Sequence, residues 1–578
     1  MNNEQSTDSI WFDRLQNSLY LTAADQTAIA QYILSILDPA EEKIPLPQTL
    51  QSDRNPRLVF FSASDTKTAA TVVLGKGWGI EEAIVNAITQ IQLLFPENAP
   101  QWFKIDIVQE ALSVQRRNSR HPLKLDRSLY GLAFHQASQI AFLPEELVAQ
   151  TLIDRQQRLL PKKIIAYLEP HGDRLQSYHQ LLEAPQITLY RFSSTSFFCN
   201  SKKLVSLYRG HRVLNPQKLT PDLLLEGAIA AGKYLQETMN DEGEFLYDYN
   251  PQTHKIGQKY NILHHAGTLY ALLELYEKTQ DSELLETILN GISYLLQFVQ
   301  TCPDPGIGTC LVEEGWIKLG GNALAAIALS KYTQLTQDKP YIPLILELGK
   351  RLQSLQQENG EFVAHKQSYP EGKILDFVSD IYPGEAIFAL LCLYRLTEDL
   401  TWLESAENGI HYLLDKQTKS KKPIPPDPWL LWSLNQLFRD RDNAEYHDFA
   451  MSSIEAIARG QNLQTSYLDW LGGIYQPPRS LATARRMTAL CSACDLAIYT
   501  ENSAIVEQLL ATLRLGIAFQ LQTQFYPESV FYFADPQRIL GAFHYSLTDF
   551  EIRIDCLQYN ILSLLGLYRI FNIWDKKS

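Results

Sequence analysis

Charged and aromatic residues gather in this 578-residue sequence just ahead of alternate apolar helical stretches. Tyr260-Asn261-x-x-His264-His265 opens one such stretch, and Asp380-x-Tyr382-Pro383-Gly384-Glu385 opens another. Asp427-Pro428-Trp429, Tyr467-x-Asp469-Trp470 (with Arg485-Arg486 further on) and Arg553-x-Asp555 precede three more. Two acid–base chemistries fit these residue types. A pair of carboxylates across a cleft, Asp380 or Glu385 against Asp427 or Asp469, performs glycoside hydrolysis. A histidine beside a tyrosine, His265 with Tyr260, abstracts a proton next to a carboxylate, as a lyase or epimerase requires. Arg486 and Arg553 have the planar fork that grips a carboxylate with two hydrogen bonds. Trp429, Trp470 and Tyr382 offer faces for sugar rings, and His264 and Asp555 complete the expected binding set.

Each of these residues also has a structural reading. Asp427 and Asp555 sit where N-caps belong, and Glu385 favours a helix N-terminus. Arg553 and Asp555 can form an ion pair that locks a hairpin. One histidine of a pair is often buried and hydrogen-bonded. Asp241-Glu242-Gly243-Glu244-Phe245 and Glu358-Asn359-Gly360-Glu361-Phe362 repeat one another and read as turns with a packing phenylalanine. Caps alone do not explain why the reactive types fall on one side of the helices and not the other.

The elements that position them form a repeat. One tight turn recurs between apolar helices: Thr279-Gln280-Asp281, Thr336-Gln337-Asp338, Thr397-Glu398-Asp399, Arg441-Asp442-Asn443 and Thr500-Glu501-Asn502. Twelve helices are expected from residue 220 onward, near 220–239, 262–278, 282–300, 321–335, 340–357, 384–397, 400–416, 429–439, 443–460, 481–499, 503–522 and 555–572. The turns are short, and the connections on the other side are long and aromatic-rich. A ring of six hairpins follows, with the first helix beside the last, in preference to an open tetratricopeptide or armadillo solenoid, whose connections stay short and regular.

On those hairpins and loops, residues 216–578 resemble the six-hairpin (α/α)6 toroid enzymes, a group of glycoside hydrolases, polysaccharide lyases and sugar epimerases. The resemblance implies a site where the long loops meet the starts of the inner helices. It does not choose among these reactions. Toroid terpene cyclases need an Asp-rich run in the cavity, whereas Asp440-Arg441-Asp442-Asn443 falls on a short turn. Zinc-dependent cyclases and prenyltransferases need Cys/His ligand sets, and neither these nor a P-loop or dinucleotide fingerprint occurs. No metal and no cofactor is expected.

Residues 1–215 read as an α+β domain. Strands are expected at 57–63, 69–74, 103–108, 128–134, 139–142, 163–168, 187–192 and 204–208, with helices at 25–37 and 81–94. Gly131-Leu132-Ala133-Phe134 and Ala141-Phe142-Leu143-Pro144-Glu145, after a strand–turn–strand–helix opening, resemble the domain named for the AMME syndrome candidate protein. The likeness stops at that family's Arg-Gly-Cys-Ile-Gly segment, where this chain has Val73-Leu74-Gly75-Lys76-Gly77.

Composition is that of a globular protein, 45% hydrophobic and 20% charged. The net charge of −14 argues against a nucleic-acid partner. Seven cysteines without dense spacing fit a reducing cytosol, and Cys491-x-x-Cys494, inside an apolar helix, reads as two buried thiols. Neither a signal peptide at 1–14 nor a membrane span is expected. The expectation is therefore a cytoplasmic, two-domain protein acting on a small-molecule or oligosaccharide substrate that is polar, either neutral or anionic. The alternative is a non-catalytic helical-repeat binding or scaffold protein. No oligomeric state is implied.

Overall fold

A computed structural model describes residues 10–15, 18–38, 42–95, 100–116, 129–135, 137–154, 156–170, 172–184, 186–200, 203–304, 306, 308–420 and 427–574. Residues 1–9 of the N-terminal stretch 1–14, Ser128 of one expected strand and 421–426 of one long connection lie outside them. The chain divides into two compact units, residues 1–213 with 251–254 and 525–540, and the remainder. Two segments from the helical half of the sequence, 251–254 and 525–540, thus belong to the first unit.

The first unit is built on an antiparallel sheet of β1 (Pro56–Ser64), β2 (Thr71–Trp78), β3 (Trp102–Arg116), β4 (Gly131–Phe134), β5 (Ala137–Phe142), β6 (Ile187–Asn200) and β7 (Lys203–Leu207). The order is β2-β1-β3-β6-β4-β5, with β7 on β6. Helices Ala23–Leu37 and Ile80–Leu94 cover one apolar face through Ile29, Ile33, Ile84 and Ile88. The expected strand at 163–168 is instead the helix Pro161–Leu168. Its β-branched Ile164 and Ile165 suit either state, but Pro161 occupies a first helical position, which fixes the start of a helix. Segment 525–540 enters this unit through Tyr532, whose hydroxyl bonds Ser62 at 2.8 Å, and Phe531, whose ring meets Phe198.

The second unit is a closed ring. Among the described residues its long helices are α1 (Pro221–Thr238), α2 (Ile262–Thr279), α3 (Ser282–Leu296), α4 (Leu319–Thr336), α5 (Ile342–Ser354), α6 (Tyr382–Thr397), α7 (Leu400–Ser420), α8 (Pro428–Arg441), α9 (Ala444–Ala458), α10 (Ser480–Tyr499), α11 (Ser503–Gln522) and α12 (Ile554–Trp574). Helices α2, α4, α6, α8, α10 and α12 each pack on the next, and α12 returns to α2. The other six lie outside, one on each inner helix, with α1 against α12. The inner helices are buried on nearly every side, as α4 shows from Leu319 to Ser330. The outer ones bury a single stripe, such as Ile345, Leu348 and Leu352 of α5. The open-solenoid alternative is excluded by the α12–α2 and α12–α1 contacts.

Sequence explains the turns. Gln280, Gln337, Glu398 and Asp442 each cap an inner helix in the left-handed region, with φ between 50° and 60°. Asp281 and Asn443 then cap the next outer helix, accepting from the backbone N–H of Glu283 and Glu445. Asp338 does not follow suit. Helix α5 starts later, at Ile342, and Asp338 instead accepts from the Tyr332 hydroxyl at 3.3 Å.

The ring is helical, but its long connections carry short strands, among them Thr309–Glu313 and Trp316–Lys318. The two Gly-Glu-Phe loops are turns, as expected. Gly243 and Gly360 have φ of 88° and 89°, and Phe245 and Phe362 are buried. One correction concerns α11, which is long and apolar enough by composition to cross a membrane. Its apolar side, including Val506, Leu509 and Leu513, is buried, and the helix packs on α10 as an outer helix of the ring.

Candidate active site

The N-termini of the inner helices share one end of the ring, because each is entered from a long connection and the first five are left through a short turn at the other end, α12 being the last helix. Side chains on the first turns therefore meet there. Glu385, one turn inside α6, is 2% exposed, and its Oε2 is buried without a hydrogen bond. Asp427 caps α8, taking the backbone N–H of Trp429 at 3.0 Å, and is 1% exposed. Small residues let the carboxyls in. A methyl group on Gly320 would stand 2.2 Å from Glu385 Oε2, and one on Gly384 would stand 2.0 Å from Asp427 Oδ2.

Electrostatics sets the two carboxyls apart from ordinary ones. Burial, then the charge of Asp427, raises Glu385 to about 8, partly offset by the Arg485 guanidinium. Burial raises Asp427 to about 7, again offset by Arg485. Arg485, on the second turn of α10, lies 5.4 Å from the Tyr559 ring centroid. Its Nε is buried without a hydrogen bond. Tyr559 of α12 accepts from the indole N–H of Trp429 at 3.3 Å, closing the floor.

His264 stands across the same end, on α2. Burial holds its pKa below the usual 6.5, while Asp555 raises it and Arg553, Lys318 and Arg485 lower it. Its Nδ1 is 2.7 Å from the Tyr247 hydroxyl, and the two rings stack. Arg485 thus acts on His264, Glu385 and Asp427 together. Between α2 and α4, Lys318 pairs with buried Glu313 at 2.6 Å and bonds Asn261 at 3.1 Å. Glu313 also accepts the N–H of Ile262 at the start of α2, where a negative charge favours the helix dipole.

The expected site residues divide. Glu385, Asp427, His264, Arg553 and Asp555 meet at this end, with half-buried Tyr382, whose hydroxyl feels Glu385 and Glu313. Arg553 makes the anticipated two-pronged grip, but on Asp555, at 3.0 and 2.7 Å. Arg486 points elsewhere, over the Tyr475 ring at 5.3 Å, and its neighbour Arg485 takes the inward place. His265 is not a free base. Gly291 O accepts from its Nε2–H at 2.8 Å, so its Nδ1 must accept from the Tyr260 hydroxyl, at 2.7 Å. It is wholly buried and its pKa falls to about 4, so His265 and Tyr260 brace the α2–α3 hairpin. Asp380 is exposed in the loop before α6.

Trp429 is 0% exposed and packed among Tyr270, Phe388 and Trp432, so it is floor and offers no face to a ligand. Asp469 is buried in the loop before α10, its carbonyl accepting from Gln522, and Trp470 lies half-buried against Tyr467. Arg485, Tyr247, Tyr559, Glu313 and Lys318 were not among the expected site residues. Arg485 adjoins a chosen residue in sequence. The others lie in or beside the short strands of the long connections or on the second turn of a helix, where no sequence motif marks them. Among the described residues no group of three or more His, Cys, Asp or Glu is arranged to hold a metal ion.

No protein-family model matches the chain, and neither does any curated protein. Solved structures do. An α-1,6-mannanase of Salegentibacter sp. HEL1_6 is similar at 13% identity over 60% of this chain and 99% of its own, with a TM-score of 0.45. D-mannose isomerase is similar at 13% identity over 62% and 98%, with a TM-score of 0.47. Cellobiose 2-epimerase from Spirochaeta thermophila DSM 6192 is similar at 14% identity over 62% and 100%, with a TM-score of 0.45. All three are sugar enzymes by name. At these identities and TM-scores the likeness carries no argument about chemistry, which rests on this chain's own side chains.

Proposed function

We propose that the second unit is a carbohydrate-active enzyme that moves a proton on a neutral, polyhydroxylated substrate, an epimerase or isomerase in type. The observation that carries the reading is a complementary acid and base at one end of the ring. Glu385 keeps its proton at neutral pH, with a pKa of about 8, and His264 is held neutral. With Nδ1–H donated to Tyr247, His264 Nε2 takes the proton from the carbon beside a sugar carbonyl. Glu385 gives its proton to the carbonyl oxygen, and an enediol results. Return of a proton to the other face or the other carbon yields an epimer or an isomer, and Glu385 regains its own from the hydroxyl.

Charge balance supports a neutral substrate. Of the three cations at this end, Lys318 and Arg553 are already paired, with Glu313 and Asp555, and Arg485 faces Asp427. Hydrolysis is the second choice, because it needs carboxyls on opposite sides of the scissile bond. Glu385 and Asp427 lie at the starts of adjacent inner helices, and the Asp427 charge helps hold the proton on Glu385.

Incubation of the full chain with aldoses, ketoses and disaccharides in heavy water, read by proton NMR, tests this directly. Solvent deuterium on the carbon beside the carbonyl, with a new isomer, is the expected result. New reducing ends without such exchange would replace proton transfer by hydrolysis. No reaction across the panel would favour the binding-protein alternative.

A further inference from the structure

The opposite end of the ring holds a cavity of about 360 Å³, formed by the middle and C-terminal parts of inner helices. Small-molecule sites begin at about this size. The aromatic rings of Tyr270, Phe388 and Trp432 line it, and Trp432 stands half-buried with its ring 5.5 Å from Phe388. Arg395, Arg439 and Arg569 stand around these rings, with Asp495 the sole carboxylate among the lining residues.

Helix C-termini carry partial negative charge, which accounts for some cationic side chains here. Pairing separates the three. Arg439 is committed to Asp495 at 2.8 Å, to Asn435 and to the face of Tyr499. Arg569 gives one nitrogen to Glu274 at 2.9 Å, while Lys331 holds the other Glu274 oxygen at 2.8 Å. Among the described residues the ion-pair partner of Arg395 is Asp440, at 4.0 Å, and its side chain is half exposed. Two guanidiniums on different helices, α6 and α12, therefore keep N–H groups to give beside an aromatic wall. Trp429, fully buried, lies between this wall and the Tyr559 floor of the other end.

We infer that this cavity is a second binding site, separate from the acid–base end, for a small aromatic ring bearing one anionic group. The ring lies against Trp432 and Phe388, and the carboxylate or phosphate is held by Arg395 with Arg569. The inference does not depend on the reaction proposed above.

Phenyl phosphate is the probe. Titration calorimetry on the full chain gives its affinity, and fluorine NMR of 5-fluorotryptophan-labelled protein gives its place, with the Trp432 signal assigned through Trp432→Phe. The expected result is saturable binding with a shift of the Trp432 signal. Binding should weaken roughly tenfold in Arg395→Gln, since a charged hydrogen-bond partner is lost at an exposed position that leaves folding intact. Glu385→Gln should bind as tightly as the wild type. Absence of saturable binding up to about 10 mM overturns the inference. So does equal affinity in Arg395→Gln, an equal response to benzyl alcohol, or loss of binding in Glu385→Gln.

Discussion

At Glu385, burial and the Asp427 charge work in the same direction, and the consequence is measurable. Between the ordinary value of 4.5 and about 8, the folded chain keeps a proton that the unfolded chain releases. Stability from this group is therefore complete below 4.5 and is lost as pH rises through about 8. Glu385→Gln should abolish turnover. It should melt above the wild type at pH 9, the gap closing toward pH 5 in a series of thermal melts. Activity should fall as pH rises through about 8, and on the acid side only below the usual imidazole value of 6.5.

His265 behaves oppositely. Its pKa of about 4, below 6.5, makes the protein lose stability as pH falls through that window. His265→Ala orphans the Gly291 carbonyl and the Tyr260 hydroxyl and should cost about 3 kcal/mol in denaturant unfolding. His264→Asn should leave unfolding nearly unchanged and stop turnover. The sequence marks the His-His and Arg-Arg pairs as important but not which member points inward. Adjacent helical residues differ by about 100° around the axis, and only the packing partners, Gly291 for His265 and Tyr475 for Arg486, settle the phase.

The helices and turns were largely legible because each carries local signals: a left-handed residue to stop one helix, an acceptor to start the next, and apolar periodicity between. Where one signal stands alone it misleads. Asp281 caps α3 and Asp338 caps nothing, although their tripeptides match. Asp281→Ala should cost about 1 kcal/mol and Asp338→Ala close to none, both read from thermal melts at constant activity. Gly360 shows what the loop repeats are for. At φ 89°, a methyl group there would approach the Asn408 carbonyl to 2.0 Å, so Gly360→Ala should cost roughly 2 kcal/mol or more in denaturant unfolding. The strand expected at 163–168 failed because short β-branched runs do not distinguish strand from helix.

At the scale of the molecule, alternation of short and long connections was enough to close the ring, since only closure puts α1 and α2 beside α12. The allocation of 525–540 was not legible. Nothing local in that segment says that Phe531 and Tyr532 are buried in the first unit, against Phe198 and Ser62. Cutting the chain at 215/216 should therefore give two fragments that aggregate or lose cooperative melting, while the full chain melts cooperatively. The proposed reaction puts a saccharide at the N-terminal end of the ring, between Glu385 and His264. The rate of deuterium exchange beside the sugar carbonyl, in the wild type against Glu385→Gln and His264→Asn, tests it most directly, with melting temperatures taken at neutral pH. Exchange is expected in the wild type and its loss in both variants, each still folded. Exchange at the wild-type rate in both folded variants would contradict it.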